Sequence, residues 1–103
     1  PALSVSVRFT GAGAPEVQSF ISPRTTRKIE DIDLVDGGDG ITTVRVVDTT
    51  LPAVIGNPRA TVNEGTNPTI KATAYSTSGW RGAVVETRSG GTLTNLEFVV
   101  EIM

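Results

Sequence analysis

Apolar and polar residues alternate along much of the chain, most regularly at its two ends. In the first stretch the alternating apolar residues are Leu3, Val5, Val7 and Phe9. In the last stretch they are Leu96, Phe98, Val100 and Ile102. Because successive side chains of a β-strand point to opposite faces, this period of two predicts half-buried strands. We therefore expect both ends of the chain to be built into sheets, with these residues in the core.

Shorter runs of the same kind lie between the two ends, separated by clusters of Gly, Pro, Asn and Ser. Helices are disfavoured, because Thr and Val are abundant and Pro or Gly interrupts nearly every window. The predicted strands are 16–22, 26–35, 41–48, 69–77 and 82–89, with a short edge strand at 59–63.

The resulting seven or eight strands predict an all-β fold, an antiparallel sandwich or a small barrel. Immunoglobulin-like and jelly-roll-like arrangements both fit this strand count, although the Cys and Trp pattern of antibody domains is missing. Segment 49–59 predicts a crossover between sheets, since Pro52 and Pro58 are unsuited to a central strand. The length of 103 residues fits a single β domain spanning 1–103.

The composition excludes several kinds of functional site. The chain has no Cys and no His, which excludes disulfides and removes the usual ligands of zinc, copper and haem. Its net charge of −2 is too balanced to indicate nucleic acid or an anionic membrane as a partner. Without His or Cys, acid–base catalysis falls to carboxylates, Lys or Tyr, and no catalytic spacing of these residues is present. We expect a protein that is not an enzyme and has no cofactor, no metal and no small-molecule substrate.

The segment Asp36-Gly-Gly-Asp39-Gly40 has two interpretations. Several carboxylates nearby, among them Asp31 and Asp33, are the oxygen ligands that calcium prefers, but the spacing of an EF-hand loop is absent. Asp-Gly pairs between apolar runs are typical of a hairpin turn, because glycine accepts a positive φ at no steric cost. The hairpin is the favoured interpretation.

Positive and negative charges are segregated around residues 24–39. Three basic residues, Arg24, Arg27 and Lys28, precede a run of acids that includes Asp31 and Asp33. Segregated charge of this kind suits a polar interface with a complementary surface. It is equally typical of a solvated strand whose charges protect a sheet edge from aggregation.

The only Trp of the chain lies in the Gly-flanked segment Ser78-Gly-Trp80-Arg81-Gly82. Trp and Arg are common anchors of protein interfaces, so Trp80 and Arg81 in a turn are candidate contact residues. The alternative is a Trp80 that folds back and caps the core.

Two functions fit these observations. The first is a non-enzymatic structural or assembly subunit that docks on copies of itself or on a larger scaffold of the virion, filament or surface-layer type. The second is a monomeric protein- or glycan-binding β module that uses loops at one end. In either case the predicted contact residues are Trp80, Arg81, Arg24, Arg27, Lys28, Asp31 and Asp33.

Overall fold

Nine strands form two antiparallel sheets in the computed structural model, which describes residues 3–51 and 56–102. The strands are β1 (Leu3–Phe9), β2 (Pro15–Ile21), β3 (Asp33–Asp36), β4 (Ile41–Val47), β5 (Arg59–Val62), β6 (Thr69–Thr77), β7 (Trp80–Ser89), β8 (Thr92–Leu93) and β9 (Phe98–Ile102). One sheet has the order β2-β1-β9-β5 and the other β3-β4-β7-β6, with β8 paired to β7. The two sheets pack face to face, so the fold is the predicted sandwich rather than the barrel.

The core lies between the sheets and confirms the alternation at both ends of the chain. Of the eight alternating residues, all are buried except Phe9, which packs against the cluster from a partly exposed position. The opposing sheet contributes Val44, Val46, Ala83 and Val85. Since one continuous cluster joins both sheets, each sheet depends on the other for burial of its inner face.

Two buried threonines interrupt this apolar layer. Thr42 and Thr87 are 1% and 2% exposed. The Thr87 hydroxyl donates a hydrogen bond of 2.6 Å to the carbonyl oxygen of Thr94, which satisfies its polar group without water. Thr42 follows the same inward period as Val44 and Val46, so the alternation itself contains the signal for its burial.

Two predicted strands are divided in the structure. In 26–35, a 3₁₀ turn at Ile29–Asp31 precedes β3, because the Asp31 carboxylate accepts a 2.8 Å hydrogen bond from the backbone N–H of Lys28. The last alternating stretch, which the sequence predicts from residue 93 onward, is divided between β8, which ends at Leu93, and β9, and these two strands belong to different sheets. Between them the chain crosses the sandwich, and the N–H of Glu97 is bound by the Glu64 carboxylate at 2.7 Å. The nine strands therefore exceed the predicted seven or eight.

The segment Asp36–Gly40 is the loop of the β3–β4 hairpin, as the favoured interpretation predicted. Asp36 accepts a 3.0 Å hydrogen bond from the N–H of Gly38, and Gly38 has a φ of 108°. Gly40 is required for a second reason: a Cβ at this position would lie 2.6 Å from the carbonyl oxygen of Thr87. The glycines thus fit both the turn and its close packing on β7.

Strands β4 and β5 lie in different sheets, so their connection crosses between the sheets as predicted for segment 49–59. Residues 52–55 of that segment lie outside the described residues. Within residues 3–51 and 56–102, no helix has the length and apolar character needed to cross a membrane.

Candidate binding surface

A row of polar and aromatic residues crosses the outer face of the five-stranded sheet. Strand pairing places Asp33 of β3 opposite Arg45 of β4, Arg45 opposite Gly82 of β7, and Gly82 opposite Tyr75 of β6. Trp80 lies on the same face, two residues before Gly82. We call Asp33, Arg45, Tyr75 and Trp80 together the Arg45 surface.

Arg45 organises this surface from its centre. Its Nε donates a 2.6 Å hydrogen bond to Asp33 in an ion pair, and its guanidinium carbon lies 4.1 Å from the centroid of the Trp80 ring. This distance is typical of a cation–π contact, in which the negative face of the ring attracts the cation. Arg45 therefore covers one face of the indole and fixes its position on the sheet.

The same neighbours perturb two titrating groups. The pKa of Arg45 is raised, chiefly by its hydrogen bond to Asp33. The pKa of Tyr75 is lowered, first by the Thr77 hydroxyl and then by the Arg45 guanidinium, both of which can donate hydrogen bonds to the phenolate. Both directions follow from stabilisation of the charged form by a nearby partner.

Trp80 and Arg81 do not form the joint anchor that the sequence indicated. Strand β7 begins at Trp80, so the turn consists of Ser78 and Gly79 alone, and the two side chains point to opposite faces. Arg81 pairs with the buried Val46 on the inner side, where its Nη1 donates a 3.0 Å hydrogen bond to Ser76. Trp80 is half-buried on the outer face and is not part of the core cluster, so it does not cap the core.

Arg27 is buried, although the sequence places it in the segregated charges of a predicted contact surface. Its side chain is 7% exposed and links two distant segments of the chain. Nε donates to the Ser22 hydroxyl at 3.0 Å, and the two terminal nitrogens donate to the hydroxyl and carbonyl oxygens of Thr50 at 3.2 and 3.0 Å. Arg27 therefore holds the segment before β3 against the end of β4.

A cleft of about 220 Å³ lies beside Arg27. Its lining residues are Arg24, Thr26, Arg27, Asp31, Val47 and Thr50, which we call the Arg27 cleft. Val47 is 47% exposed and pairs with Trp80, so the cleft adjoins the end of the Arg45 surface. Burial of Arg27 and the like charge of Arg24 lower the pKa of Arg27, and Asp31 acts in the opposite direction.

The structure thus brings together most of the predicted contact residues, in two adjoining groups. Asp33 and Trp80 belong to the Arg45 surface, and Arg24, Arg27 and Asp31 line the cleft. Lys28 is exposed and does not line the cleft, whereas Arg81 lies on the inner side. Sequence reasoning missed Arg45, Tyr75 and Val47. The alternation in 41–48 contains a signal for Arg45 and Val47, because it places both on the face opposite the buried valines of the same strand.

Among the residues that the structure describes, no group of three or more His, Cys, Asp or Glu side chains is arranged to hold a metal ion. Comparison of the chain with protein-family models, with curated proteins and with solved structures gave no match.

Proposed function

We propose that the chain is a non-enzymatic assembly subunit that docks on copies of itself, or on a larger scaffold of the virion, filament or surface-layer type. The observation that carries this proposal is the open edge of β6. An unpaired edge strand offers a row of backbone donors and acceptors to another strand, and monomeric proteins generally block such edges.

In the described part of the chain, three of the four strands that end the two sheet orders have a blocking feature. Strand β2 begins at Pro15 and its pairing with β1 is broken by an irregularity at Ser6 and Val7. Strands β3 and β5 have only four residues each. Strand β3 carries two aspartates, and β5 follows Pro58 and begins at Arg59. Short length, charge, proline and irregular pairing are the known ways of preventing edge-to-edge association.

Strand β6 has neither short length nor irregular pairing, although Pro68 directly precedes it. All nine residues from Thr69 to Thr77 pair with β7 without a shift in register, and Lys71 is the only charged residue among them. Such a strand suits β-augmentation, in which a strand from another chain extends the sheet. Because closed assemblies of identical chains most often have two-fold symmetry, we infer antiparallel pairing of β6 with β6 of a second copy.

Charge disfavours one register for this pairing and is compatible with another. With Thr73 opposite Thr73 of the second copy, Lys71 faces Tyr75 and Thr69 faces Thr77 across the interface. A shift that centres the pair on Lys71 would place two ammonium groups directly opposite each other, which is unfavourable. The Thr73-centred register therefore has only compatible neighbours on the outer face.

The proposal is tested by sedimentation of the purified chain over a range of concentrations. We expect the unmodified chain to self-associate and Thr73→Lys to weaken the association at least about tenfold, which corresponds to ~1.4 kcal/mol. Thr61→Lys on the exposed face of the short edge strand β5 is the matched control and should leave the association unchanged. Circular dichroism and thermal unfolding establish that both variants fold.

An unmodified chain that stays monomeric throughout would contradict docking on copies and favour the alternative, a monomeric binding module. The Arg45 surface bears on that alternative. A glycan-binding site generally uses a free aromatic face, and one face of Trp80 is already covered by Arg45 at 4.1 Å. Arg45 therefore leaves at most one face of Trp80 for a stacked sugar.

A further inference from the structure

Arg27 is a buried cation with only neutral partners. Its three hydrogen bonds go to the Ser22 hydroxyl and to two oxygens of Thr50, none of which carries a charge. Among the described residues Arg27 takes part in no salt bridge, although its side chain is only 7% exposed. Asp31 lines the same cleft and attracts Arg27 from a longer distance, so no opposite charge is in direct contact with this buried guanidinium.

The guanidinium also has unused donors. It carries five N–H groups, of which Nε uses its one and each terminal nitrogen uses one of two. One donor therefore remains on each terminal nitrogen; because both nitrogens already bind Thr50 on their shared side, the remaining donors point away from each other and each can bind one oxygen. Arg27 lines the cleft, where the exposed Arg24 provides a second guanidinium.

The net charge of the Arg27 cleft favours a ligand with one negative charge over a ligand with two. Arg24 and Arg27 contribute two positive charges, and Asp31 contributes one negative charge, which leaves a single positive charge to be matched. Asp31 is held in place by the N–H of Lys28 and would repel a dianion such as phosphate more strongly than a monoanion.

The size of the cleft indicates where the carboxylate comes from. About 220 Å³ is smaller than the ~300–1,000 Å³ of typical small-molecule sites, and it suits one side chain. The cleft also adjoins the exposed Val47 and, through it, Trp80, which are suitable neighbours for a docked protein surface.

We propose that the Arg27 cleft binds the carboxylate of an Asp or Glu side chain from a docked protein, with Arg27 and Arg24 as its donors. This inference rests on the proposed function in requiring a protein partner, but it does not depend on pairing through β6.

The test is an NMR titration of the Thr73→Lys chain with three probes: N-acetylglutamic acid α-amide, its glutamine analogue and inorganic phosphate. We expect saturable shifts of the Arg27 and Arg24 side-chain signals with the glutamate probe, none with the neutral glutamine probe, and weaker binding of phosphate. Arg24→Gln should weaken glutamate binding about tenfold, as expected for loss of a charge-assisted hydrogen bond. Arg59→Gln, at an exposed arginine on β5, is the control and should bind as the parent does.

A second variant tests the charge balance without removing a donor. Asp31→Asn keeps a side-chain oxygen for the Lys28 N–H but removes the negative charge, so glutamate binding should strengthen several-fold. The proposal is overturned if the glutamate probe gives no saturable shift, if phosphate binds more tightly than glutamate in the parent, or if Arg24→Gln behaves like Arg59→Gln. Self-association is measured separately, so loss of probe binding with intact assembly would reject this inference alone.

Discussion

The two edges of the five-stranded sheet differ in almost every property that controls strand association. Strand β3 has four residues and two of them are aspartates, whereas β6 has nine residues and a single lysine. Both edges expose backbone groups, yet only β6 offers a long, regular row of them with little charge. The interaction surface of a β sandwich can therefore be sought in a long edge strand with little charge, as well as in its most unusual side chains.

The largest expected effect is a loss of stability in the five-stranded sheet, which contains both edges. A Cβ at Gly82 would overlap the carbonyl oxygen of Val44 on the neighbouring strand and lie 2.8 Å from the Cα of Arg45. Gly82→Ala should therefore lower the free energy of unfolding by about 3 kcal/mol, because β4 and β7 must separate. Thermal or urea unfolding measures the change.

Gly11→Ala is the matched control for this variant. A Cβ at Gly11 meets no atom within 4 Å, so the stability should change by less than about 0.5 kcal/mol. Equal stability of the two variants would show that β4 and β7 do not approach as closely at Gly82 as described.

A smaller loss of stability is expected from a change beside β3 alone. Arg27→Ala removes three hydrogen bonds, two to Thr50 and one to Ser22, and should cost about 2 kcal/mol of stability. Arg59→Ala, at an exposed arginine on β5, should cost less than about 0.5 kcal/mol in the same urea titration. A destabilisation as small as that of the Arg59 variant would contradict the buried bridge.

The negative charges of β3 can be removed without changing the length of the strand. In the double variant Asp33→Asn with Asp36→Asn, β3 loses its charges but stays four residues long. Because surface ion pairs contribute only about 0–1 kcal/mol, we expect the association constant to change by less than about threefold. Sedimentation at several concentrations measures it; association strengthened tenfold would show that charge, rather than length, keeps β3 from pairing.

The smallest expected effect is a change in the pKa of Tyr75, which belongs to the Arg45 surface between the two edges. Tyr75 is the only tyrosine, so the ultraviolet absorbance of its phenolate can be titrated without interference. Its pKa should lie below the ordinary value of 10.0, and Arg45→Gln should raise it, because one of the groups that stabilise the phenolate is lost. Since the folded pKa is depressed, the associated stabilisation is present above the unfolded pKa and is lost as pH falls through the folded value.

Arg24→Gln is the control for the titration, because Arg24 lies in the cleft and is not among the groups that shift Tyr75. An unchanged Tyr75 pKa in the Arg45 variant would show that Arg45 does not stabilise the Tyr75 phenolate.

The sequence predicted the features that depend on local pattern. Alternation identified the inward residues of β1 and β9, and the Asp-Gly pairs identified the β3–β4 hairpin, because both depend only on neighbours in the chain. It also predicted the strand at 69–77 with the bounds of β6. What it did not reveal is that β6 lies at an edge, because strand order depends on pairing between distant segments.

The site residues show the same limit. Arg27 was interpreted as a surface charge because its acceptors Ser22 and Thr50 are brought together only by the fold. Trp80 and Arg81 were interpreted as one anchor because the turn was taken to be longer than Ser78-Gly79. A shift of two residues in where β7 begins separates their side chains onto opposite faces.

The proposed pairing of β6 with β6 of another copy about Thr73 is tested by charge complementation between two variants. Thr73→Lys and Thr73→Glu should each dissociate, because like charges then lie opposite each other in the pair. An equimolar mixture of the two folded variants should sediment as an associated species, with a Lys facing a Glu. Association of either variant alone as strong as that of the unmodified chain, or a mixture that stays as dissociated as its components, would contradict this account.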